Sequence, residues 1–316
     1  MRIFRNLKEI PLDFGPTVVS VGNFDGVHRG HREILARMAQ SAAKRSLQSV
    51  AVTFEPHPLR LLRPAASPKL ITPLEARLEL LQATGADATL VLPFTAELSR
   101  MSAEEFVTCV LHDGLRAVEV HEGPNFRFGH HAEGGPEKLR ELGRKLGFTV
   151  VVHPACSFRG HAVSSSRIRG FISAGDLRRA RLLLGHSFCI YSTPAPGRGI
   201  GKNLTVPTIN LAPYAELVPA NGVYITRMRI ADEWFDSVTN VGTRPTFGEA
   251  SFAIESHLLN FHPVDLTPAT PLELVFLQRI REERRFPSPE VLKEQIVRDA
   301  ANAGRYLRLL HATARN

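Results

Sequence analysis

Two imidazoles three residues apart, in the segment GNFDGVHRGH at 22–31, are the first groups in the chain with evident chemistry. His28 and His31 follow an apolar run, and a helical stripe of Ile34, Leu35, Met38 and Ala42 begins beside the second of them. Gly26 and Gly30 permit a tight turn and close backbone approach at that junction. The spacing puts both rings at the positive end of a helix dipole, where phosphate groups bind readily. It also puts them at the carboxyl end of a strand, the usual ligand position in open α/β folds. Imidazoles so placed can donate hydrogen bonds to a phosphate that gains charge during transfer. A surface loop or a metal site could use the same pair, but no Cys, Asp or Glu follows at ligand spacing on the helix.

Three further segments sit where loops at the ends of strands converge: VTFEPHP at 52–58, GPNFRFGHHAEGG at 123–135 and VSSSRIR at 163–169. In the last, Ser164, Ser165 and Ser166 offer hydroxyls and N–H groups at a helix start, and Arg167 and Arg169 offer charge to a triphosphate. A second Gly-rich run, GRGIGKNLTVPTIN at 197–210, fails as a Walker A loop. Pro196 stands at the required first glycine, and Asn203 stands where Ser or Thr belongs. Gly197, Gly199 and Gly201, with Lys202, can still cradle phosphates through backbone N–H groups. Farther on, IESHLLNF at 254–261 alternates, so Glu255, His257 and Leu259 share one face of a strand.

The elements that must carry these groups fall into two rhythms. Apolar runs at 17–22, 49–54, 89–92, 117–122 and 149–153 alternate with helical patterns at 32–44, 73–84, 103–112 and 137–146. That alternation predicts a parallel sheet covered on both faces. Two more helices are expected at 167–173 and 176–184. Beyond Gly185, strands at 187–192, 222–230, 234–241, 253–261 and 273–280 are joined by Pro, Gly and Asn turns, which predicts an antiparallel barrel or sandwich. The tail 289–311 carries Leu292, Ile296, Ala300, Tyr306 and Leu310 at near-helical spacing, with Ser288 as N-cap. We place the boundary near Leu184/Gly185, giving domains 1–184 and 185–316.

At 316 residues, two domains are the first expectation, and 43% hydrophobic with 22% charged residues argues against a disordered or fibrous chain. No run of 18 apolar residues exists, so a membrane partner is not expected, and the start lacks the apolar core of a signal peptide. Cys109, Cys156 and Cys189 are scattered and odd in number, which suits a reducing cytoplasm. The net charge of +8 is uneven: residues 1–184 hold 25 basic and 18 acidic groups, and residues 185–316 hold 14 and 13. A basic first half fits an anionic small molecule. Nucleic acid is disfavoured, because aromatics are 7% and no Arg–aromatic stripe occurs. Oligomeric state is not determined at this level; a homo-oligomer is possible.

The strand–GxFDGxHxGH–helix context resembles the HxGH signature of the nucleotidyltransferase superfamily, which holds ATP phosphates and assists attack on the α-phosphorus. Class I aminoacyl-tRNA synthetases share that element, but no KMSKS-like loop is visible. With the three later segments in order, residues 1–184 look like the adenylyltransferase module of prokaryotic bifunctional riboflavin kinase/FAD synthetases. The resemblance implies a Rossmann-like nucleotidyltransferase domain making FAD and pyrophosphate from FMN and ATP with Mg²⁺. It implies catalytic roles for His28 and His31, and nucleotide binding by Gly22, Phe24, Asp25, Gly30, Asn125, Ser164, Ser165 and Arg169. His57 and Arg127 become flavin-side candidates. Ser166 stands where the family usually has Thr.

The tetrad at 207–210 resembles the PTxN motif of riboflavin kinases, and 240–248 and 254–261 match two further family segments. By that resemblance the second domain is a small antiparallel β-barrel with a C-terminal helix. It would phosphorylate riboflavin, with Thr208 and Asn210 holding Mg²⁺ and Arg244 near the flavin. Glu255 occupies the position of the family's catalytic base, and a carboxylate near an alcohol and a γ-phosphate suits phosphoryl transfer. Arg279–Ile296 also resembles the family. The departures are Thr205 for Gly, Val206 for Phe and Ile209 for Ala. They leave open a lone FMN adenylyltransferase with an impaired kinase barrel; the expectation is that both activities are kept.

Overall fold

In the computed structural model, residues 1–195, 208–245, 250–262, 264 and 266–313 are described, without the side chains of 243–245 and 250–252. The chain divides into two units, Met1–Ser165 and Ser166–Asn316.

The apolar runs of the first unit become strands of one six-stranded sheet. They are β1 (Arg2–Phe4), β2 (Thr17–Val21), β3 (Gln48–Glu55), β4 (Ala88–Pro93), β5 (Ala117–Glu122) and β6 (Thr149–Val152). Their order is β1-β4-β3-β2-β5-β6, and every neighbouring pair is parallel. Parallel pairing demands crossovers, and helices supply them: α1 (Arg29–Lys44), α2 (Pro58–Leu62), α3 (Leu74–Gln82), α4 (Ala96–Arg100), α5 (Ala103–Phe106) and α6 (Pro136–Leu146). β2 is buried at all five positions because both faces are covered. Val18, Ala51 and Val91 pack against Leu35, Met38 and Ala42 of α1 on one face. Val19, Val52, Leu90 and Val120 pack with Phe106, Leu139 and Leu142 on the other.

The helix expected at 103–112 is α only through Phe106. Val107–Gly114 continues it with π winding, and Leu115 N donates five residues back, to Val110 O. A small hairpin, β7 (Ser157–Phe158) with β8 (His161–Ala162), follows the last strand. α1 begins three residues before its predicted start, because His28 caps it. β1 escaped prediction, since three residues carry no readable period.

The second unit contains α7 (Ser165–Ser173) beyond its first residue, and α8 (Leu177–Leu184), whose buried Leu183 and Leu184 end at a left-handed Gly185. α8 packs on β9 (Phe188–Ser192) and on β14 (Leu272–Arg281). The other strands are β10 (Thr208–Asn210), β11 (Gly222–Ile230), β12 (Glu233–Pro245) and β13 (Ala250–Leu259), and the unit closes with α9 (Pro289–Thr313). The sheet order is β10-β13-β12-β11-β14-β9, antiparallel throughout. Ala195 N donates to Asn210 O, and Ala212 N donates to Thr193 O, so the chain just past β9 meets the end of β10 and the curled sheet joins at its edges. This is the expected antiparallel barrel with a C-terminal helix.

Strand alternation sorts its side chains. Tyr224, Met228, Phe235, Ile254, Leu274 and Phe276 turn inward and are buried. Among them, Ser237, Thr226, Thr239 and Ser256 form a chain of hydroxyls, each link 2.7 Å. On the outer face Val223, Ile225, Val238 and Leu277 pack against Ala303 and Leu307 of α9. Asp299 of α9 is buried in a pair with Arg281, at 2.8 Å.

Candidate functional sites

In the first unit, the chain leaving β2 makes a strained turn before α1. Phe24 and Val27 adopt positive φ of 47° and 34°, and Gly26 a φ of 80°. Non-glycine residues are uncommon in that region, and such outliers persist where surroundings over-determine them. Here Asp25 does so. Its buried carboxylate accepts from Ile71 N at 3.0 Å and Thr72 N at 3.0 Å, while Gly26 N donates to Thr72 Oγ1 at 3.0 Å. Arg77 of α3, fully buried, donates to Asn23 O at 2.9 Å, to Phe54 O at 3.2 Å and to Glu55 Oε2 at 2.9 Å. The loop is therefore clamped from two sides by residues far away in sequence.

The turn delivers His28 to the N-cap of α1. Its Nδ1 accepts from His31 N at 3.3 Å. A neutral His28 bonded in this way carries its proton on Nε2. The two rings stack at 3.5 Å between centroids and 15° between planes, and Phe24 meets His31 edge-on at 5.3 Å. Burial first, and then the neighbouring His28, hold His31 well below the ordinary histidine range. His31 Nδ1 is buried with no hydrogen-bond partner among the described residues. A Cβ on Gly30 would sit 3.2 Å from Cys156 Cβ and 3.4 Å from the His28 ring, so the helix start has no room for a side chain. The result is a pair of stacked imidazoles, His31 favouring its neutral form, on a positive helix end with a buried nitrogen unspent.

Of the other predicted residues, Gly22, His57, Asn125 and Arg127 lie in the segments that follow β2, β3 and β5. Ser165 Oγ donates to Asp25 O at 3.0 Å, which ties the serine run to the turn. Gly22 lies against the Phe24 ring. Asn125 and Arg127 are exposed in the loop leaving β5, and His57 leaves β3 buried as the cap of α2, its Nδ1 accepting from Leu59 N at 3.2 Å. Ser164 is exposed; Arg169 lies in α7 and is partly buried. Arg77 and Thr72 were not anticipated. Arg77 reads as a surface residue of LEARLELL, and nothing local announces its partners 22 to 54 residues earlier.

In the second unit, register builds the site. Thr208 lies opposite His257 and Asn210 opposite Glu255, and Asn240 of β12 flanks Glu255 on its other side. Side chains directly opposite in an antiparallel pair stand with Cβ atoms about 4.5–5.5 Å apart. One face therefore carries a hydroxyl, two amides and a carboxylate. Thr208 Oγ1 and His257 Nδ1 are 2.8 Å apart. Burial lowers the His257 pKa, while Glu255 pulls it the other way. Thr208, Asn210 and Glu255 offer only hard oxygen atoms, the donors Mg²⁺ selects. Among the described residues no three His, Cys, Asp or Glu groups cluster for a metal, so a cation here must use the hydroxyl and amide as well. Asn240 was not singled out beforehand, though its place in the matched segment 240–248 was the available signal. The predicted Gly197, Gly199, Gly201 and Lys202 lie outside the described residues, as do Thr205 and Val206, and of Arg244 only the backbone, on β12, is described.

Comparison with known proteins divides the chain similarly. A family model described as FAD synthetase matches residues 11–167, and one described as riboflavin kinase matches residues 184–307. A bifunctional riboflavin kinase/FMN adenylyltransferase of Pseudomonas fluorescens is 36% identical over 96% of this chain and 97% of its own. The protein so named in Escherichia coli strain K12 is 32% identical, over 98% of each chain. A crystal structure described as a macrolide-efflux protein from Streptococcus pneumoniae has a TM-score of 0.83 at 26% identity, covering 94% of this chain and 96% of that one.

Proposed function

We propose, from the premise that this chain belongs to the family of bifunctional riboflavin kinase/FMN adenylyltransferases, how its residues divide the two reactions of FAD biosynthesis. The enzyme phosphorylates riboflavin to FMN and adenylylates FMN to FAD, with ATP as co-substrate in both. Both family parts are present, so the reading of a lone adenylyltransferase has no support. We assign adenylyl transfer to residues 1–184 and phosphoryl transfer to 185–316.

In adenylyl transfer a phosphate oxygen of FMN attacks the α-phosphorus of ATP, and the bond to pyrophosphate breaks. Charge builds on the α-phosphate oxygens and on the departing pyrophosphate. His28 offers its Nε2–H and His31 its ring N–H to those oxygens, and the first N–H groups of α1 add a fixed positive dipole. A low His31 pKa suits this role, since a neutral ring donates without setting a charge against the stacked His28 ring. Ser164, Ser165 and Arg169 serve the remaining phosphates, and Asn125, with His57 and Arg127, serves the FMN side. Asp25 acts at one remove, by holding the turn.

In phosphoryl transfer Glu255 takes the proton of the riboflavin 5′-hydroxyl as that oxygen attacks the γ-phosphorus, and ADP leaves. Asn210 and Asn240 orient the carboxylate from either side. Thr208 and Asn210 would hold Mg²⁺, which when bound neutralises phosphate charge. Gly197, Gly199, Gly201 and Lys202 are assigned to the nucleotide, and Arg244 to the flavin. We place the enzyme in the cytoplasm: its three cysteines are unpaired thiols, and no described helix is long and apolar enough to cross a membrane. Its partners are these small molecules.

The stacked imidazole pair at the cap of α1 carries the first assignment. The double variant His28→Ala/His31→Ala should accumulate FMN from riboflavin and ATP without forming FAD. Glu255→Gln should do the reverse, losing FMN formation while converting supplied FMN to FAD. FAD formation undiminished in the double variant would remove the assignment.

A further inference from the structure

We propose that Glu122 is a positioning residue for adenylyl transfer, a strut that holds the end of β2 in place where it parts from β5. The proposal rests on the assignment of the first site to the turn after β2.

β2 and β5 are neighbours in the sheet, yet the chain runs from β2 into β3 on one side and from β5 into β6 on the other. Strands that lead away in opposite directions open a crevice at their carboxyl ends, and ligands of open α/β sheets bind there. The last paired residues are Val19 and Val120. Two residues on, Val21 N points toward β5 with no ladder acceptor, because the next amide, Gly22 N, turns to Val52 O at 2.9 Å on the β3 side. Glu122 fills the gap: its Oε1 accepts from Val21 N at 2.7 Å. A side chain thus replaces the backbone bond at the root of the crevice, one residue before Gly22 and seven before His28.

The strut is buried, at 3% exposure. Burial pushes its carboxyl well above the ordinary range, opposed only by the Val21 N–H. The groups around it do not answer its charge. Glu119 and His121 lie three residues and one residue before it and face α1, where Glu119 meets Ser41 of the helix and Arg45 at its C-terminal end, and His121 bonds Glu119 at 2.6 Å. His153 of the segment after β6 gives its side chain to His121, at 3.0 Å, and only its backbone N–H to Glu122 O, at 2.8 Å. Burial therefore favours the neutral acid, whose carbonyl oxygen can serve Val21. Glutamine supplies the same acceptor without a charge to bury, and leucine supplies none.

The full-length enzyme tests this with two activities in one chain. FMN plus ATP reads FAD formation, and riboflavin plus ATP reads FMN formation by the second unit as an internal control. E122L should lose about tenfold in kcat for FAD formation, with a smaller change in KM for ATP and unchanged FMN formation, the scale of one lost buried hydrogen bond. E122Q should stay within about twofold of wild type. Its Tm advantage over wild type should widen as pH rises from about 4.5, because a raised carboxyl pKa stabilises the fold below the unfolded value and loses that contribution as pH climbs toward the folded one. E122L within twofold of wild type, or E122Q falling as far as E122L, overturns the strut. If E122L does not fold, E122Q decides: wild-type rate with a widening Tm advantage supports the proposal, and a lost rate or a flat difference overturns it. The double His28→Ala/His31→Ala variant reports separately on the site, so a silent histidine pair and a silent strut are told apart.

Discussion

Replacing Arg77 by Met should unlatch the first site and spare the second. The guanidinium is fully buried and makes three bonds, to Asn23 O, Phe54 O and Glu55 Oε2. Hydrogen bonds from a charged donor are worth about 1.5–3 kcal/mol each, and those to the two carbonyls belong in that range. Asn23 O keeps a second donor, Thr53 Oγ1 at 3.2 Å, so its loss falls at the lower end. The Glu55 carboxylate is 32% exposed and can rehydrate, so its share is at most about 1 kcal/mol. Methionine fills most of the volume and removes Nε, which is buried without a partner among the described residues and itself costs about 1 kcal/mol. The net loss is then about 3 kcal/mol. For a unit of this size that lowers Tm by roughly 6–12 °C. Thermal unfolding followed beside the two activities reads both consequences: FAD formation falls because Asn23 no longer anchors the turn, while FMN formation from riboflavin holds. A loss below about 1 kcal/mol, or equal losses of both activities in folded protein, would refute the clamp.

Ser165→Ala removes the hydroxyl that donates to Asp25 O; it should cost about 1 kcal/mol and lower FAD formation, with kinase turnover as the control. Asp25→Asn keeps the acceptor shared by Ile71 N and Thr72 N but turns an NH₂ toward the Ile71 N–H that the second oxygen also accepts; a loss of about 2 kcal/mol by denaturant titration is expected, and a neutral result would mean those bonds do not hold the turn. His31 and His257 both have pKa values lowered by burial, so the native state binds fewer protons than the unfolded chain below about pH 6.5. Stability should fall as pH drops from there through the folded values, and His257→Gln should flatten part of that slope in Tm measured against pH. Thr208→Val should abolish FMN formation and leave conversion of supplied FMN intact, whereas Thr208→Ser should keep the kinase, measured by product chromatography.

What could be read beforehand follows from how local each signal is. A parallel sheet announces itself because each strand is a continuous apolar run and each crossover helix has a stripe, so β2, β3, β5 and α1 were legible. His28 and His31 were legible because cap, turn and helix lie within ten residues. Arg77, Thr72 and Glu122 were not, since their bonds reach 46 to 101 residues along the chain and no periodicity encodes such a distance. β10 was legible only as a motif: at three residues it has no period, and pairing with β13 makes it a strand. The helix after Ala103 was readable, but its π-wound second half was not, because helical spacing looks much alike in sequence over two turns.

The four hydroxyls inside the barrel act as a ruler for the kinase face. Each inner member of the row Ser237–Thr226–Thr239–Ser256 has one proton to give, so it must receive from one side and give to the other. Sliding β12 by a single residue would swing Ser237 and Thr239 outward and set Val238 and Asn240 against stranded alcohols. That mismatch is paid for by nothing, so the strands keep one alignment, and that alignment is what stations Asn210 and Asn240 on either side of Glu255. An oily interior of equal volume would tolerate several alignments; this one reads out a single answer, and the chemistry on the far side of the sheet inherits its precision.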